Sequence, residues 1–201
     1  MPEATNMQVD LVSLDEVVET CDRLAQQISA SDFHPDFIIA IARGGFTPAR
    51  FLCDFLHVGA LAAIRVEHYQ AGAKRTEQAE VTIPLAVDIR DAQVLIVDDV
   101  NDSGDTLKVA SSHVAGFSPA QVHTAVLHEK STTTWCADFR GAELKRWRWL
   151  LYPWAVVEDV GQFIREMHPS PQSETQIHQR LHQEYGLKLS PQQLERVLRF
   201  M

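Results

Sequence analysis

The chain has 201 residues, of which 45% are hydrophobic, enough for one principal domain with a sizeable core and a short appendage. With 27 acidic against 18 basic residues, its net charge of -9 supplies no general attraction to nucleic acid or to an anionic membrane, and argues against both as partners. Cys21, Cys53 and Cys136 are odd in number, widely spaced and without a CxxC pair, which excludes a disulfide framework and a zinc site and reads as reduced thiols.

The first residues, MPEATNMQVD, carry neither a basic leader nor an apolar core, and no run of about 18 apolar residues follows, so a cytoplasmic location is expected. Ser13 with Glu16 forms a capping-box pattern ahead of Leu14, Val17, Val18, Cys21, Leu24, Ala25 and Ile28, which recur at helical spacing. FIIAIA, Phe37 to Ala42, is too short for a helix and runs directly into Arg43-Gly44-Gly45, a buried strand with a tight turn at its carboxyl end. Thr47 and Pro48 suit the N-cap and N1 positions of a second helix. Leu61 to Val66 predicts a strand, and the polar stretch His68 to Glu80 predicts a mobile loop. VTIPLAV resumes extended structure, with Pro84 confining it to an edge or a bend.

Val94 to Val97 is the strongest buried-strand signal, followed by an acidic loop and a helix over about Thr106 to Ala115. Val122 to Glu129 and the segment around Trp147 to Tyr152 are further strands. Alternation in the latter would put Trp147 and Trp149 on one face. A helix is expected over Val157 to Met167, then two serine-capped amphipathic segments beginning at Ser173 and Ser190 form a helical hairpin. The whole predicts an α/β domain with a mainly parallel sheet flanked by helices. A small hood and the C-terminal hairpin complete it. The boundaries are 1–167 for the principal domain, with hood segments near 1–12 and 130–167, and 168–201 for the helical extension.

VLIVDDVNDSGDT, Val94 to Thr106, sets four carboxylates around a small-residue turn. Backbone amides of a glycine turn at a helix N-terminus bind phosphate, and Ser103 and Thr106 add hydroxyls. Carboxylates alongside suit hydroxyls or a metal ion, so a ligand carrying phosphate, diol and magnesium meets every group with the right sign. A Walker A loop is excluded because Gly104-Asp105-Thr106 lacks its lysine, and a calcium loop because Ala110 stands where a bidentate glutamate is needed. An ordinary strand–turn–helix junction with solvated acids is the bland alternative.

This stretch resembles the phosphoribosyl pyrophosphate signature of the type I phosphoribosyltransferases, and in particular of bacterial and archaeal 6-oxopurine enzymes. Arg43-Gly44-Gly45 is placed like that family's pyrophosphate loop, His68-Tyr69 opens a stretch similar to its flexible loop, and Trp149 to Trp154 resembles its base-binding hood. The resemblance spans roughly residues 10 to 165. It implies that Asp102, Ser103, Gly104, Asp105 and Thr106 hold the 5′-phosphate. Asp98 and Asp99 would address the ribose hydroxyls and Mg²⁺. Asp102 would be the catalytic acid beside purine N7, Lys130 a donor to the 6-oxo group, and Trp149 with Leu150 the base contacts.

The implied activity is transfer of the 5-phosphoribosyl group from phosphoribosyl pyrophosphate to hypoxanthine, guanine or xanthine, in purine salvage, by a homodimer or homotetramer. Two other readings stand beside it: a regulator on the same fold that senses phosphoribosyl pyrophosphate, and transfer to a non-purine base. One departure is Ala155, where related purine enzymes commonly have an acid after Pro153-Trp154.

Overall fold

The computed structural model describes residues 7–70 and 77–201, with the side chains at 69, 70, 77 and 78 set aside. The chain forms two compact units, one of residues 17–147 and one of residues 1–16 with 148–201.

The larger unit is built on a six-stranded sheet. Its strands are β2 (Phe37–Ala42), β3 (Ala60–Gln70), β4 (Glu77–Ile83), β5 (Gln93–Asn101), β6 (Gln121–Lys130) and β7 (Phe139–Leu144). They lie in the order β4-β3-β2-β5-β6-β7, parallel throughout except for the antiparallel edge strand β4. Strand alternation divides the core. Ile39, Ile41, Val94 and Ile96 cluster with Leu107, Ala110 and Val114 of α3 (Asp105–Ala115), while the intervening Ile38, Ala40, Leu95 and Val97, all inaccessible to solvent, serve the opposite face. On that side α2 (Phe46–Phe55) packs on β2 and β5, and Cys21 of α1 (Leu14–Ser29) lies 4.0 Å from the Pro48 carbonyl oxygen. Burial pushes the Cys21 thiol up to about 12, which keeps it an unreactive core residue.

From β2 the chain builds outward through β3 and β4, then returns to lay β5, β6 and β7 on the other side of β2. The order therefore reverses between β2 and β5, and ligands of open α/β sheets bind in the crevice beyond the carboxyl ends of strands at such a point.

Several local expectations are corrected. The stretch from His68 onward is not a loop at its start, because β3 runs through His68 and Tyr69 and pairs with β4, Tyr69 opposite Gln78. Cross-strand pairing holds these polar residues in an extended ribbon. Residues 71–76 of the expected loop lie outside the described residues. Pro84 falls just past β4, at the sheet edge as anticipated. The second helix begins at Phe46 with Gly45 as N-cap, two residues earlier than Thr47-Pro48 suggests, and Pro48 is accommodated in the first turn where no N–H partner is needed. The acidic residues Asp98 and Asp99, with Val100 and Asn101, belong to β5 itself. Strand β7 was not anticipated.

The smaller unit pairs β1 (Val9–Leu11) in parallel with β8 (Trp149–Leu151), so Trp147 is not on the strand that carries Trp149 and the expected alternation does not apply. Helices α4 (Val156–Glu166), α5 (Glu174–Tyr185) and α6 (Pro191–Phe200) close around it. Val9, Leu151, Val160, Phe163, Ile177, Leu181, Leu194 and Val197 form one apolar cluster, so α4, α5, α6 and the β1–β8 pair share a core within this unit, with α5 and α6 each packed on α4. Helices α5 and α6 start at the anticipated serines, Ser173 and Ser190. Ser190 accepts the Gln193 N–H at 3.2 Å, and Gln193 accepts the Ser190 N–H at 2.8 Å. Ser190→Ala is expected to cost about 1 kcal/mol, read as a lower urea midpoint with unchanged slope. A midpoint equal to wild type would show that the cap is energetically idle. No helix among the described residues is long and apolar enough to cross a membrane.

Candidate active site

The crevice at the β2/β5 reversal is a cavity of about 310 Å³ lined by Ile41, Ala42, Gly44, Val66, His68, residues 98–104 and Thr106. Two glycine turns shape it. A Cβ on Gly44 would fall 2.3 Å from Asp99 Oδ2, and one on Gly45 would fall 2.3 Å from the Val97 carbonyl oxygen and 2.7 Å from that of Ile41. The turn after β2 thus closes directly onto β5, and only glycines allow that approach. Opposite it, Gly104 caps α3 with φ 97°, and a Cβ there would meet the Trp135 backbone nitrogen at 2.7 Å. Gly104 has no side chain to cap α3; the Asp105 N–H donates to Ser103 Oγ at 3.3 Å, and the next first-turn amides have no acceptor within the helix.

The acids differ in surroundings. Asp98 is buried, and its Oδ1 accepts the Asp99 N–H at 2.9 Å. Burial first, then the neighbouring Asp99 charge, push its carboxyl well above the usual range. Asp102 is nearly half exposed. Burial raises its carboxyl, but hydrogen bonds from Lys130, Thr132 and Trp147 and the Lys130 charge together hold it below the usual value. Its Oδ2 accepts from Lys130 Nζ at 2.7 Å and from Trp147 Nε1 at 3.1 Å, and its Oδ1 accepts from Thr132 Oγ1 at 2.9 Å. Lys130, the last residue of β6 and only 4% exposed, also lies 4.4 Å from the centroid of the Trp147 ring.

The structure therefore brings together Gly44, Asp98, Asp99, Asp102, Ser103, Gly104 and Thr106 around one cavity, with Gly45 next in the turn behind Gly44 and Lys130 bonded to Asp102. Arg43 opens the turn after β2, and Asp105 begins α3, where it accepts the Ser103 hydroxyl at 2.9 Å. His68 reaches the same cavity from β3, with Nε2 3.0 Å from Thr106 Oγ1. The side chain of Tyr69 lies outside the described residues. Trp149 and Leu150 belong to the smaller unit, where the Trp149 indole donates to Asp159 at 2.8 Å.

Sequence reasoning missed the support beneath the loop. Glu129, 4% exposed, accepts from Asn101 Nδ2 at 2.9 Å, from the Ala137 N–H at 2.7 Å and from Arg140 at 3.1 Å. Asn101 Nδ2 also donates to the Trp135 carbonyl at 2.9 Å, and the Ser103 carbonyl accepts from the Thr134 N–H at 3.0 Å. The segment after β6 is thereby strapped to residues 101–104. Its partners are some 30 positions apart in sequence, and the one local signal was a glutamate at the end of β6, just past the apolar run Ala125 to Leu127.

Comparison with known proteins places the geometry in context. The family profile described as phosphoribosyl transferase domain matches residues 10–144. A xanthine-guanine phosphoribosyltransferase from Ruegeria sp. strain TM1040 is 28% identical over 151 residues, covering 71% of this chain and 83% of that protein. The crystal structure of a purine phosphoribosyltransferase from Pyrococcus horikoshii aligns with TM-score 0.65 and 32% identity, covering 74% of this chain and 95% of that one. A hypothetical protein from Neisseria gonorrhoeae, solved with bound ppGpp, aligns with TM-score 0.66 and 29% identity over 74% of this chain and 89% of that one.

Proposed function

This chain belongs to the phosphoribosyl transferase domain family, and from that premise we propose that it transfers the 5-phosphoribosyl group of phosphoribosyl pyrophosphate to a 6-oxopurine, releasing pyrophosphate. The observation that carries the reading is the pairing of a phosphate-shaped loop with Asp102 and Lys130, an acceptor and a donor 2.7 Å apart at its rim. The named relatives act on xanthine and guanine or on purines, which supports the same substrate class.

In this reading the amides and hydroxyls of residues 102–106 hold the 5′-phosphate, and Asp98 and Asp99 accept from the ribose hydroxyls. The Asp98 and Asp99 carboxylates also fit Mg²⁺, a hard cation that needs only one or two protein carboxylates when substrate oxygens and water complete its shell. Bound there, the ion would offset the charge that develops on the leaving pyrophosphate. Arg43, Gly44 and Gly45 receive that pyrophosphate from the opposite side of the cavity.

The bond from ribose C1′ to the pyrophosphate oxygen breaks as the purine nitrogen bonds to C1′, and Asp102 takes the proton that the base gives up at N7. Its carboxyl, held below the usual value by its hydrogen bonds and the Lys130 charge, is ionised at neutral pH. Lys130 donates to the 6-oxo group, and because an ammonium only donates, a 6-amino group is disfavoured. A homodimer or homotetramer is assigned to the assembly.

The test is pyrophosphate release with Mg²⁺, phosphoribosyl pyrophosphate and each of hypoxanthine, guanine, xanthine, adenine, uracil and orotate. Turnover confined to the oxopurines is expected. Binding of phosphoribosyl pyrophosphate without turnover of any base would move the reading to a sensor on the same fold, and turnover with uracil or orotate to a non-purine substrate.

A further inference from the structure

The two groups that the oxopurine reading assigns to the base are both engaged by one side chain. Trp147 donates its indole N–H to Asp102 Oδ2 at 3.1 Å, the same oxygen that holds Lys130, and the Lys130 ammonium lies 4.4 Å from the centre of the indole ring. An indole is a flat bicycle with one ring N–H, and here it presents that N–H to Asp102 as a purine would. We propose that Trp147 is a built-in purine surrogate that competes with the incoming base. Its indole holds the base-reading pair until a base that satisfies both Asp102 and Lys130 displaces it. This rests on the oxopurine reading above.

The surroundings identify which contact yields. Lys130 is 4% exposed, and releasing it from Asp102 would strand a buried charge. Thr132 is doubly tied, its hydroxyl lying 2.9 Å from Asp102 Oδ1 and 3.1 Å from the Asp102 carbonyl oxygen. Trp147 is 44% exposed, makes the longest of the three bonds to the carboxylate, and sits on residues 145–148, which belong to neither β7 nor β8. It can swing into water while the other two stay.

A 6-oxopurine replaces both lost contacts, its ring N–H on Asp102 and its oxo oxygen on Lys130. Every base that takes this position meets the same cost of displacing the indole, so the surrogate lowers the affinity for all of them by one factor and leaves the choice between oxo- and aminopurines to Lys130.

The experiment compares steady-state kinetics of wild type and Trp147→Phe, and follows the indole N–H groups of the four tryptophans in ¹H–¹⁵N spectra titrated with the free bases hypoxanthine and adenine, which keep the imidazole N–H that a nucleotide has lost. Trp147→Phe keeps an aromatic ring, removes the N–H and identifies the Trp147 resonance. The expected result is a hypoxanthine KM about fivefold lower in the variant, the size of one net hydrogen bond, with kcat within about twofold and the preference for hypoxanthine over adenine unchanged. In wild type the Trp147 resonance moves on adding hypoxanthine and stays on adding adenine at equal concentration. A hypoxanthine KM unchanged or raised in Trp147→Phe overturns the proposal, a raised value making the indole a base platform. So does a hypoxanthine titration that shifts other indoles and leaves that of Trp147 in place. If wild type consumes no oxopurine and hypoxanthine perturbs no indole, the oxopurine reading falls and the surrogate with it; wild-type turnover with unchanged variant kinetics removes the surrogate alone.

Discussion

Asp102→Asn is expected to lower kcat/KM for guanine or hypoxanthine by about 10²–10³-fold, the range of a lost general base, while phosphoribosyl pyrophosphate still binds. The substitution is isosteric. An asparagine carbonyl at the Oδ2 position still accepts from Lys130 and Trp147, and its amide can donate to the Thr132 hydroxyl, so the hydrogen-bond pattern survives. What disappears is the capacity to take a proton and the counter-charge for a lysine that is 4% exposed.

The pH dependence of stability follows the same residue. Asp102 has a folded pKa below its unfolded value, so the stability it adds is present above the unfolded pKa of about 3.9 and is lost as pH falls through the lower folded value. With its side chain 45% exposed, solvent screening keeps that contribution small. Wild type and Asp102→Asn should therefore differ in stability at neutral pH and converge at strongly acid pH. Equal kcat/KM in the two proteins would remove Asp102 from the chemistry.

Glu129→Leu is expected to destabilise the protein by about 3 kcal/mol and to raise the KM for phosphoribosyl pyrophosphate. The change removes the carboxylate that Asn101, the Ala137 amide and Arg140 share, and leaves the Ala137 amide without its acceptor beneath the loop. For a chain of this size the loss corresponds to a melting temperature lower by roughly 10 °C. Glu129→Gln keeps an acceptor for the amide and should fall between the two. Thermal unfolding together with titration of phosphoribosyl pyrophosphate reads both effects. A variant within about 0.5 kcal/mol of wild type would show that the strap does not hold the loop.

Much of this was legible in the sequence because the decisive geometry is contiguous. Residues 94–106 contain strand, carboxylates, glycine turn and helix start in one run, and each local choice agrees with the next. The glycines after β2 were readable as a turn, although the reason for two of them, the approach of Asp99 and of the Val97 carbonyl, is visible only in three dimensions. The serine caps of α5 and α6 were equally direct, since capping is written within four residues.

What escaped was either polar or distant. β3 and β4 continue as a ribbon through residues whose polarity mimics a loop, because a two-stranded extension has little apolar face to reveal its period. β7, FRGAEL, is short and interrupted by Gly141, whose Cβ would strike Thr20 at 2.2 Å; the glycine reflects close packing rather than a turn. The contacts of Asp102 with Thr132 and Trp147 join residues 30 and 45 positions apart, and Glu129 meets Asn101 across 28. No local pattern encodes such pairings. They follow from the register of β5 on β6, which places Asn101 directly opposite Glu129.

The most direct measurement is identification of the product. Wild-type protein incubated with Mg²⁺, phosphoribosyl pyrophosphate and guanine should yield GMP by mass spectrometry in equal amount to the pyrophosphate released, and omission of Mg²⁺ should abolish both. Bound phosphoribosyl pyrophosphate with no nucleotide formed from guanine, hypoxanthine or xanthine would contradict the account.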